Sequence, residues 1–315
     1  MKKSIIALAV AGAMTVPMIA QADATLFGEA RWDVSKAKSG KLNSDISRIR
    51  FGVKGEETMD SGLTAGFFLR FDGTGDTSTN KSVDTQKAAL FIAGDFGKVV
   101  LGQADSPAAS VEDRVNYVSV TGDEFGVVGD EFGHSGIAYQ SNDISGFKFA
   151  VGTGNLGQDD SLLENGMGAS VSYDTDTFGV TVGAGKAAST LVTAAVGATP
   201  AVFLDGESHS GISAEYKFSQ GAVGASMTKQ DQETRVTLAG KYSIDMLTLA
   251  AQIDSNTLKS KIAGVKEVKK RATSVSASYK LGGNATASIA LVNFNKNAKV
   301  ATGDNLVKAR YHVSF

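Results

Sequence analysis

Residues 306–315 read Leu-Val-Lys-Ala-Arg-Tyr-His-Val-Ser-Phe, so the sequence closes on an aromatic side chain. In an extended strand, the valines, the alanine, the tyrosine and the final phenylalanine share one face, and the lysine, arginine, histidine and serine share the other. A transmembrane β-barrel needs this arrangement, because its outer face meets lipid and its inner face meets a watery lumen. The segment therefore predicts one strand of a membrane-embedded barrel.

The other end of the sequence has the pattern of an export signal. Two lysines precede an apolar run over residues 5–13, and residues 20–22 (Ala-Gln-Ala) fit a cleavage site for signal peptidase. The alternative is a single membrane-spanning helix, but Pro17 and the shortness of the apolar run argue against it. We therefore predict that residues 1–22 are a cleaved signal peptide and that residues 23–315 form one exported barrel domain.

Composition narrows the class of protein further. The chain has 31 basic and 33 acidic residues, a near balance that gives no basic footprint for nucleic acid. It has no cysteine, so neither a disulfide framework nor a thiolate metal site is possible. The mean hydropathy of −0.03 argues against a bundle of membrane helices. It fits a barrel, in which apolar and polar positions alternate and cancel.

Alternation of apolar and polar residues recurs along the mature chain and predicts a 16-stranded antiparallel transmembrane β-barrel, an all-β fold. The predicted strands cover residues 24–34, 46–55, 62–72, 86–93, 97–105, 136–141, 147–154, 168–174, 178–186, 210–217, 221–229, 234–242, 246–253, 272–280, 284–292 and 305–315. An even number of strands lets the first and last strands pair, which removes the open edges of the sheet.

The connections between these strands alternate in length. Short ones contain Gly, Asn, Asp and Ser, whereas long ones lie near residues 35–45, 73–85, 106–135, 155–167, 187–209, 254–271 and 293–304. Only the connection near 230–233 breaks the rule, because it is short where a long one is due. This rhythm is typical of an outer-membrane barrel with short periplasmic turns and long extracellular loops. The alternative, two soluble β-sandwich domains, does not explain it.

Several segments resemble the general porins of Gram-negative bacteria, of the neisserial and betaproteobacterial type. In order, they are residues 24–28 (ATLFG), 47–49 (SRI), 54–56 (KGE), 94–103 (GDFGKVVLGQ), 106–107 (SP) and 145–147 (SGF). The resemblance implies a homotrimeric outer-membrane channel whose third loop folds into the lumen. It also implies that Phe315 is an assembly signal. Gln103 is a departure, since the family usually has an arginine there.

Basic residues cluster at inward positions of four strands that become neighbours when the barrel closes. With Leu26, Phe51 and Val313 facing lipid, alternation turns the basic residues of these strands toward the lumen, together with Glu29 and Asp33. We predict that they form a basic patch at the pore constriction: Arg31, Arg48, Arg50, Arg70, Lys308 and Arg310. Alternatively, each is simply a solvated charge in a wet lumen.

The long connection over 106–135 is acidic and is the natural counterpart of this patch. Its acids are Glu112, Asp113, Asp123, Glu124, Asp130 and Glu131, against a single basic residue, Arg114. Inside the barrel, such a loop facing the arginines would create a transverse field that selects solutes by charge and diameter. The alternative is a solvated extracellular loop. Calcium binding is a weak further idea, because the spacing of the acids fits no EF-hand.

The sequence gives little support to catalysis. Its histidines are His134, His209 and His312, and none has a nucleophile and an orienting partner that the sequence places beside it. We find no phosphate-binding loop and no metal-ligand spacing. We therefore predict a protein that is not an enzyme and needs no metal or cofactor.

The function predicted from these features is passive diffusion of small hydrophilic solutes and ions across the outer membrane. The predicted partners are outer-membrane lipids, the permeating solutes and further copies of the chain, and not nucleic acid. Ion selectivity is expected to lean slightly toward anions, because the arginines are fixed on rigid strands. One alternative is a surface adhesin or receptor built on a closed barrel. Another is a barrel phospholipase, but we find in this sequence no Ser-His pair of the kind that such an enzyme needs.

Overall fold

The computed structural model describes residues 24–73, 83–103, 110–118, 120, 136–154, 166–186, 190–193, 202–204, 208–259, 267–298 and 305–315. The barrel strands in the first half are β1 (Thr25–Ala37), β2 (Leu42–Thr58), β3 (Thr64–Gly73), β4 (Val83–Gly94), β5 (Gly97–Gly102), β6 (Gly136–Gln140), β7 (Phe147–Gly154), β8 (Met167–Asp174) and β9 (Phe178–Lys186). Those in the second half are β12 (Ser208–Phe218), β13 (Gly221–Gln230), β14 (Glu233–Ile244), β15 (Leu247–Leu258), β16 (Val268–Gly282), β17 (Ala285–Phe294) and β18 (Leu306–Ser314).

Further secondary structure lies outside the barrel sheet. Strands β10 (Thr190–Thr193) and β11 (Val202–Leu204) form a separate hairpin, and one turn of helix, α1, covers Ser110–Asp113. None of the helices in the described part of the chain is long and apolar enough to cross a membrane.

Sixteen antiparallel strands close into one barrel, in which each strand pairs with its neighbours along the chain and β1 pairs with β18. At this seam Ala37 lies opposite Leu306, Trp32 opposite Tyr311 and Glu29 opposite Ser314. One residue further on, Gly28 and Phe315 exchange two hydrogen bonds. The Gly28 N–H donates to the Phe315 carbonyl at 3.0 Å, and the Phe315 N–H donates to the Gly28 carbonyl at 3.0 Å. Closure leaves no unpaired sheet edge, which a structure embedded in lipid requires.

The two faces of the barrel differ as alternation predicts. On β15, Leu249 and Ile253 are 44% and 45% exposed on the outside, whereas Gln252 and Asp254 are each 2% exposed on the inside. Aromatic side chains gather on the outer face near the short turns, where they are 41–54% exposed: Phe147, Phe178, Tyr216, Phe218, Tyr242 and Tyr279. A band of this kind is the girdle that barrels place at a membrane–water interface.

The predicted architecture is confirmed, since each of the sixteen predicted strands overlaps one barrel strand. Some strands are longer at the loop ends: β2 begins at Leu42 instead of residue 46, and β16 begins at Val268 instead of 272. Here the outward positions lose their regular apolar character, so alternation no longer marks the strand. Strand β5 is shorter at its loop end and ends at Gly102 instead of residue 105. The hairpin β10–β11 lies within residues 187–209, which we predicted to be a loop.

Phe315 closes the seam in a second way, because its ring lies against Gly28 and leaves no room for a Cβ there. Deleting Phe315 removes both the terminal backbone pair and this contact. We expect the deletion to lower the amount of folded protein in the outer membrane severalfold, measured by heat-modifiable migration in SDS gels. Phe96→Ala, which alters an exposed aromatic in the β4–β5 turn, is the control and should assemble normally. Normal levels of the folded deletion variant would contradict the assembly role.

Candidate pore constriction

The six basic residues predicted to form a patch come together on the inner face of β18, β1, β2 and β3, and we call them the basic wall. Glu29 lies at their centre. It accepts hydrogen bonds from Arg31 at 2.9 Å and Arg48 at 3.4 Å, and lies 3.6 Å from Arg50. His312 Nε2 is 3.1 Å from the same carboxylate.

Two further acids neutralise part of the basic wall. Asp33 is 3% exposed and accepts from Arg310 at 2.7 and 2.9 Å, while Lys308 lies 2.8 Å away. Asp72 accepts from Arg50 Nε at 2.8 Å. The basic wall therefore carries its own counterions on the strands. Sequence reasoning placed Glu29 and Asp33 inside but missed Asp72, although its position two residues after Arg70 was a sufficient signal.

The start of the third loop is bound to the inner face of the barrel. We call residues 110–118 and 120 the inner segment. Arg114 donates to both carboxylate oxygens of Asp174, at 2.6 and 3.0 Å, and its Nε donates to Thr181 at 2.8 Å. A bidentate arginine–carboxylate pair fixes orientation as well as position. The inner segment is thereby attached to β8 and β9.

A buried ion pair makes the second attachment. Glu112 and Arg235 of β14 are only 7% exposed in their side chains, and Arg235 Nη1 donates to the two Glu112 oxygens at 3.1 and 3.2 Å. The Thr228 hydroxyl of β13 donates to the same carboxylate at 2.6 Å. Removing one partner of such a pair is costly, because the other charge is left buried without compensation.

Tyr117 makes the third attachment. Its hydroxyl donates to Glu215 of β12 at 2.5 Å, and the Lys241 ammonium lies 4.3 Å from the centre of its ring. Burial and the neighbouring Glu215 carboxylate raise the pKa of the Tyr117 phenol, so it stays protonated and remains the donor at neutral pH.

Small residues on the wall make room for the apolar side of the inner segment. Val111, Val115, Val118 and Val120 are at most 1% exposed. A Cβ on Gly211 would lie 3.1 Å from Val111, and one on Gly224 would lie 3.0 Å from Val115. Val118 and Val120 pack on two inward alanines of β15 and β17, Ala250 and Ala290. The run of Gly and Ala at inward positions was a signal that sequence reasoning did not use.

The part of the inner segment from Val111 to Tyr117 lies across the lumen from the basic wall. In the closed order, β9 is eight strands from β1 in either direction, β12 is eight from β2, and β13 is eight from β3. The attachments of Glu112, Arg114 and Tyr117 are therefore on the far side of the barrel from the arginines, whereas Val118 and Val120 reach β15 and β17, which lead back to the basic wall at β18. The prediction that the third loop folds into the lumen is confirmed for these residues.

Of the six acids predicted to face the arginines, the structure describes two, Glu112 and Asp113. Glu112 does not face the arginines, because Arg235 and Thr228 hold it against the opposite wall. Asp113 is exposed. The other four predicted acids lie outside the described residues: Asp123, Glu124, Asp130 and Glu131. Among the described residues, no three His, Asp or Glu side chains are grouped so that they could hold a metal ion.

A closed barrel of sixteen strands with a charged lumen and an inward-folded loop defines an outer-membrane channel. The chain belongs to the Gram-negative porin family, whose model matches residues 7–299. It is 27% identical over 299 residues to outer membrane porin protein 32 of Delftia acidovorans, a match that covers 90% of this chain and 77% of that protein. The family membership favours the channel over the adhesin and phospholipase alternatives.

Solved structures show the same fold at low identity. Salmonella typhi OmpF in complex with daunomycin superposes with a TM-score of 0.78 at 14% identity, covering 93% of this chain and 98% of that one. The anion-selective porin of Comamonas acidovorans gives 0.72 at 16% identity, with 94% and 100% covered. The trimer form of Vibrio cholerae OmpT gives 0.71 at 15% identity, with 93% and 99% covered. The protein is thus a porin of the outer membrane that lets small hydrophilic solutes diffuse passively.

The buried Glu112–Arg235 pair yields a test of the loop attachment. Glu112→Gln removes the buried carboxylate and leaves Arg235 with the weaker, more exposed ion pair to Glu233 at 3.3 Å. Loss of hydrogen bonds to a charged group costs about 1.5–3 kcal/mol. That cost should loosen the inner segment without opening the barrel. We expect larger open-channel current noise in single-channel recordings of the variant. Asp113→Asn removes the neighbouring, exposed carboxylate and should leave the noise unchanged. Equal noise in wild type and both variants would show that the pair does not restrain the loop.

Proposed function

We propose that the basic wall and the inner segment together form the narrowest part of the channel, and that this constriction favours small hydrophilic anions. The observation that carries the proposal is the placement of the charges. Six basic side chains on the wall meet three acidic ones, Glu29, Asp33 and Asp72, which leaves an excess of three positive charges among the described residues there.

The inner segment does little to offset this excess. Its Glu112 is neutralised by Arg235 and its Arg114 by Asp174, and Asp113 is its one other described charge, against an excess of three on the wall. Charges near the narrowest point act most strongly on an ion, whereas those at the mouths are screened over a Debye length of about 8 Å at physiological salt. The proposal also agrees with the name of the anion-selective Comamonas porin, whose fold this chain shares. The contribution of Asp123, Glu124, Asp130 and Glu131 stays a prediction.

Selectivity provides the test. Wild-type protein in planar bilayers should conduct and, in a KCl gradient, give a reversal potential on the anion side. A triple variant in which glutamine replaces Arg31, Arg48 and Arg70 should have a ratio of anion to cation permeability that is lower by about twofold or more.

The control removes three lysines near strand ends, Lys148, Lys269 and Lys280, and should shift the ratio much less, because the mouths are screened. An unchanged ratio in the triple arginine variant would show that the basic wall does not line the constriction. Absence of conductance from correctly folded wild type would contradict the channel function itself.

We further propose that the protein is a homotrimer in which β1, β3 and β4 face neighbouring copies, with lipid covering the remaining apolar band. Small outward residues on these strands suit close packing between barrels: Ala30, Ala65 and Ala88, whereas the Phe315 ring of the same chain covers Gly28. The trimer form of OmpT, a barrel of the same fold, supports the proposal. We expect no catalytic activity, in keeping with a family of channels.

A bulky side chain on the outer face of β1, β3 or β4 should disrupt the proposed trimer. Ala65→Trp places a large ring on the outer face of β3, and we expect it to convert most of the particle from the mass of three chains to that of one in mild detergent. Ala225→Trp makes the same change on β13, eight strands away, and should leave the trimer intact. A wild-type particle with the mass of one chain, or equal behaviour of the two variants, would contradict the proposed interface.

A further inference from the structure

The lumen wall formed by β1–β5 carries an aromatic cluster that the constriction does not use. Phe27, Phe68 and Phe91 all point inward and are half-buried, although apolar side chains of a barrel normally face lipid. The rings of Phe27 and Phe68 stack with centroids 5.1 Å apart and planes 26° from parallel. Contact with lipid explains outward phenylalanines, but it does not explain these three, which face the lumen.

Glycines let these rings lie flat against the wall. A Cβ on Gly52 would lie 2.5 Å from the Phe27 ring, and Gly66 has no room for a Cβ because the Phe91 ring covers it. The Phe27 and Phe91 rings therefore lie close to the backbone of the wall. This arrangement forms an apolar floor for the wall without filling the channel.

Basic side chains surround the aromatic floor. The Lys98 ammonium lies 3.9 Å from the centre of the Phe91 ring, and the Arg70 guanidinium lies 5.9 Å from that of Phe68. Lys54 and Lys87 line the same recess, which also includes Glu56 and has a volume of about 790 Å³. The volume is within the range of about 300–1,000 Å³ that small-molecule sites occupy.

The recess lies on the route of a permeating solute. Along β2 and β3, the paired residues Lys54 and Phe68 lie between the turn at 59–63 and the next inward ion pair, Arg50 with Asp72. Short turns of this family face the periplasm, so a solute that has passed the basic wall reaches the recess next.

We propose that this recess is a binding subsite for aromatic carboxylates, small solutes that combine a flat ring with a carboxylate. The ring packs against Phe68 and Phe91, which line the recess, and the carboxylate pairs with the ammonium groups of Lys54, Lys87 and Lys98. Aromatic pairs gain attraction from their geometry beyond buried area, and charged hydrogen bonds are about twice as strong as neutral ones. The proposal rests on the channel function but not on the selectivity proposed for the basic wall.

Current block in single channels tests the subsite. Benzoate added to the periplasmic side should block the wild-type current at lower concentration than cyclohexanecarboxylate, which has the same charge and similar size but no aromatic ring. Neutral benzamide should block less than benzoate. In the double variant Phe68→Leu/Phe91→Leu the half-blocking concentration of benzoate should rise about tenfold and approach that of cyclohexanecarboxylate.

The matched control lies on the other face of the same strands. Phe51 and Phe71 stack outward on β2 and β3 with centroids 5.2 Å apart, so Phe51→Leu/Phe71→Leu removes a similar pair without touching the lumen. This variant should keep the wild-type benzoate block. Lys98→Gln should weaken the block by benzoate and leave benzamide unaffected.

Equal block by benzoate and cyclohexanecarboxylate in wild type, or an unchanged benzoate block in the Phe68/Phe91 variant, would overturn the proposal. The reversal potential in KCl of the same variants separates it from the wall selectivity. If the Phe68/Phe91 variant loses the benzoate block while its KCl selectivity stays that of wild type, the subsite is independent of the basic wall. Loss of all conductance in wild type would instead reject the channel function.

Discussion

The structure depends on one constraint: in lipid, every backbone N–H and C=O must find a partner within the protein. The chain meets it by pairing β1 with β18, and the seam ends in two reciprocal hydrogen bonds between Gly28 and Phe315. Closure gives every strand an inner and an outer face, so one period-two pattern suits both lipid and water. The terminal strand, which carries this pattern most clearly, is also the strand that completes the barrel.

Closure also places two different halves of the inner wall on opposite sides of the lumen. From β9 to β17 the inner face carries small residues such as Gly211, Gly224 and Ala250, which make room for the inner segment. From β18 to β3 it carries charged residues held in ion pairs, which remain turned toward the lumen. The channel is therefore asymmetric: one side is filled by the loop, and the opposite side presents the basic wall to the solute.

Local pattern predicted the fold well and the site in part. Alternation and turn residues located all sixteen strands. The inward direction of alternate side chains was enough to identify the basic wall. Both predictions depend only on residues that are neighbours in sequence. The partner of Glu112 could not be predicted in this way, since Arg235 is brought to it only by closure and by the folding of the loop. Alternation shows that Arg235 points inward but not what it meets. The loop ends of β2 and β16 were missed because their outward positions are no longer regularly apolar.

Glu112, Arg114 and Tyr117 fix the inner segment to the wall opposite the arginines. Because the chain has no cysteine, an engineered pair reports on this attachment without background. A Cβ on Gly224 would lie 3.0 Å from Cγ1 of Val115, close enough for a disulfide between Val115→Cys and Gly224→Cys. We predict that this disulfide forms in the folded barrel and leaves the conductance unchanged, whereas Val115→Cys paired with Asp72→Cys on the basic wall stays reduced. If the first disulfide does not form, or if the second one does, the inner segment is not held on the wall at Gly224.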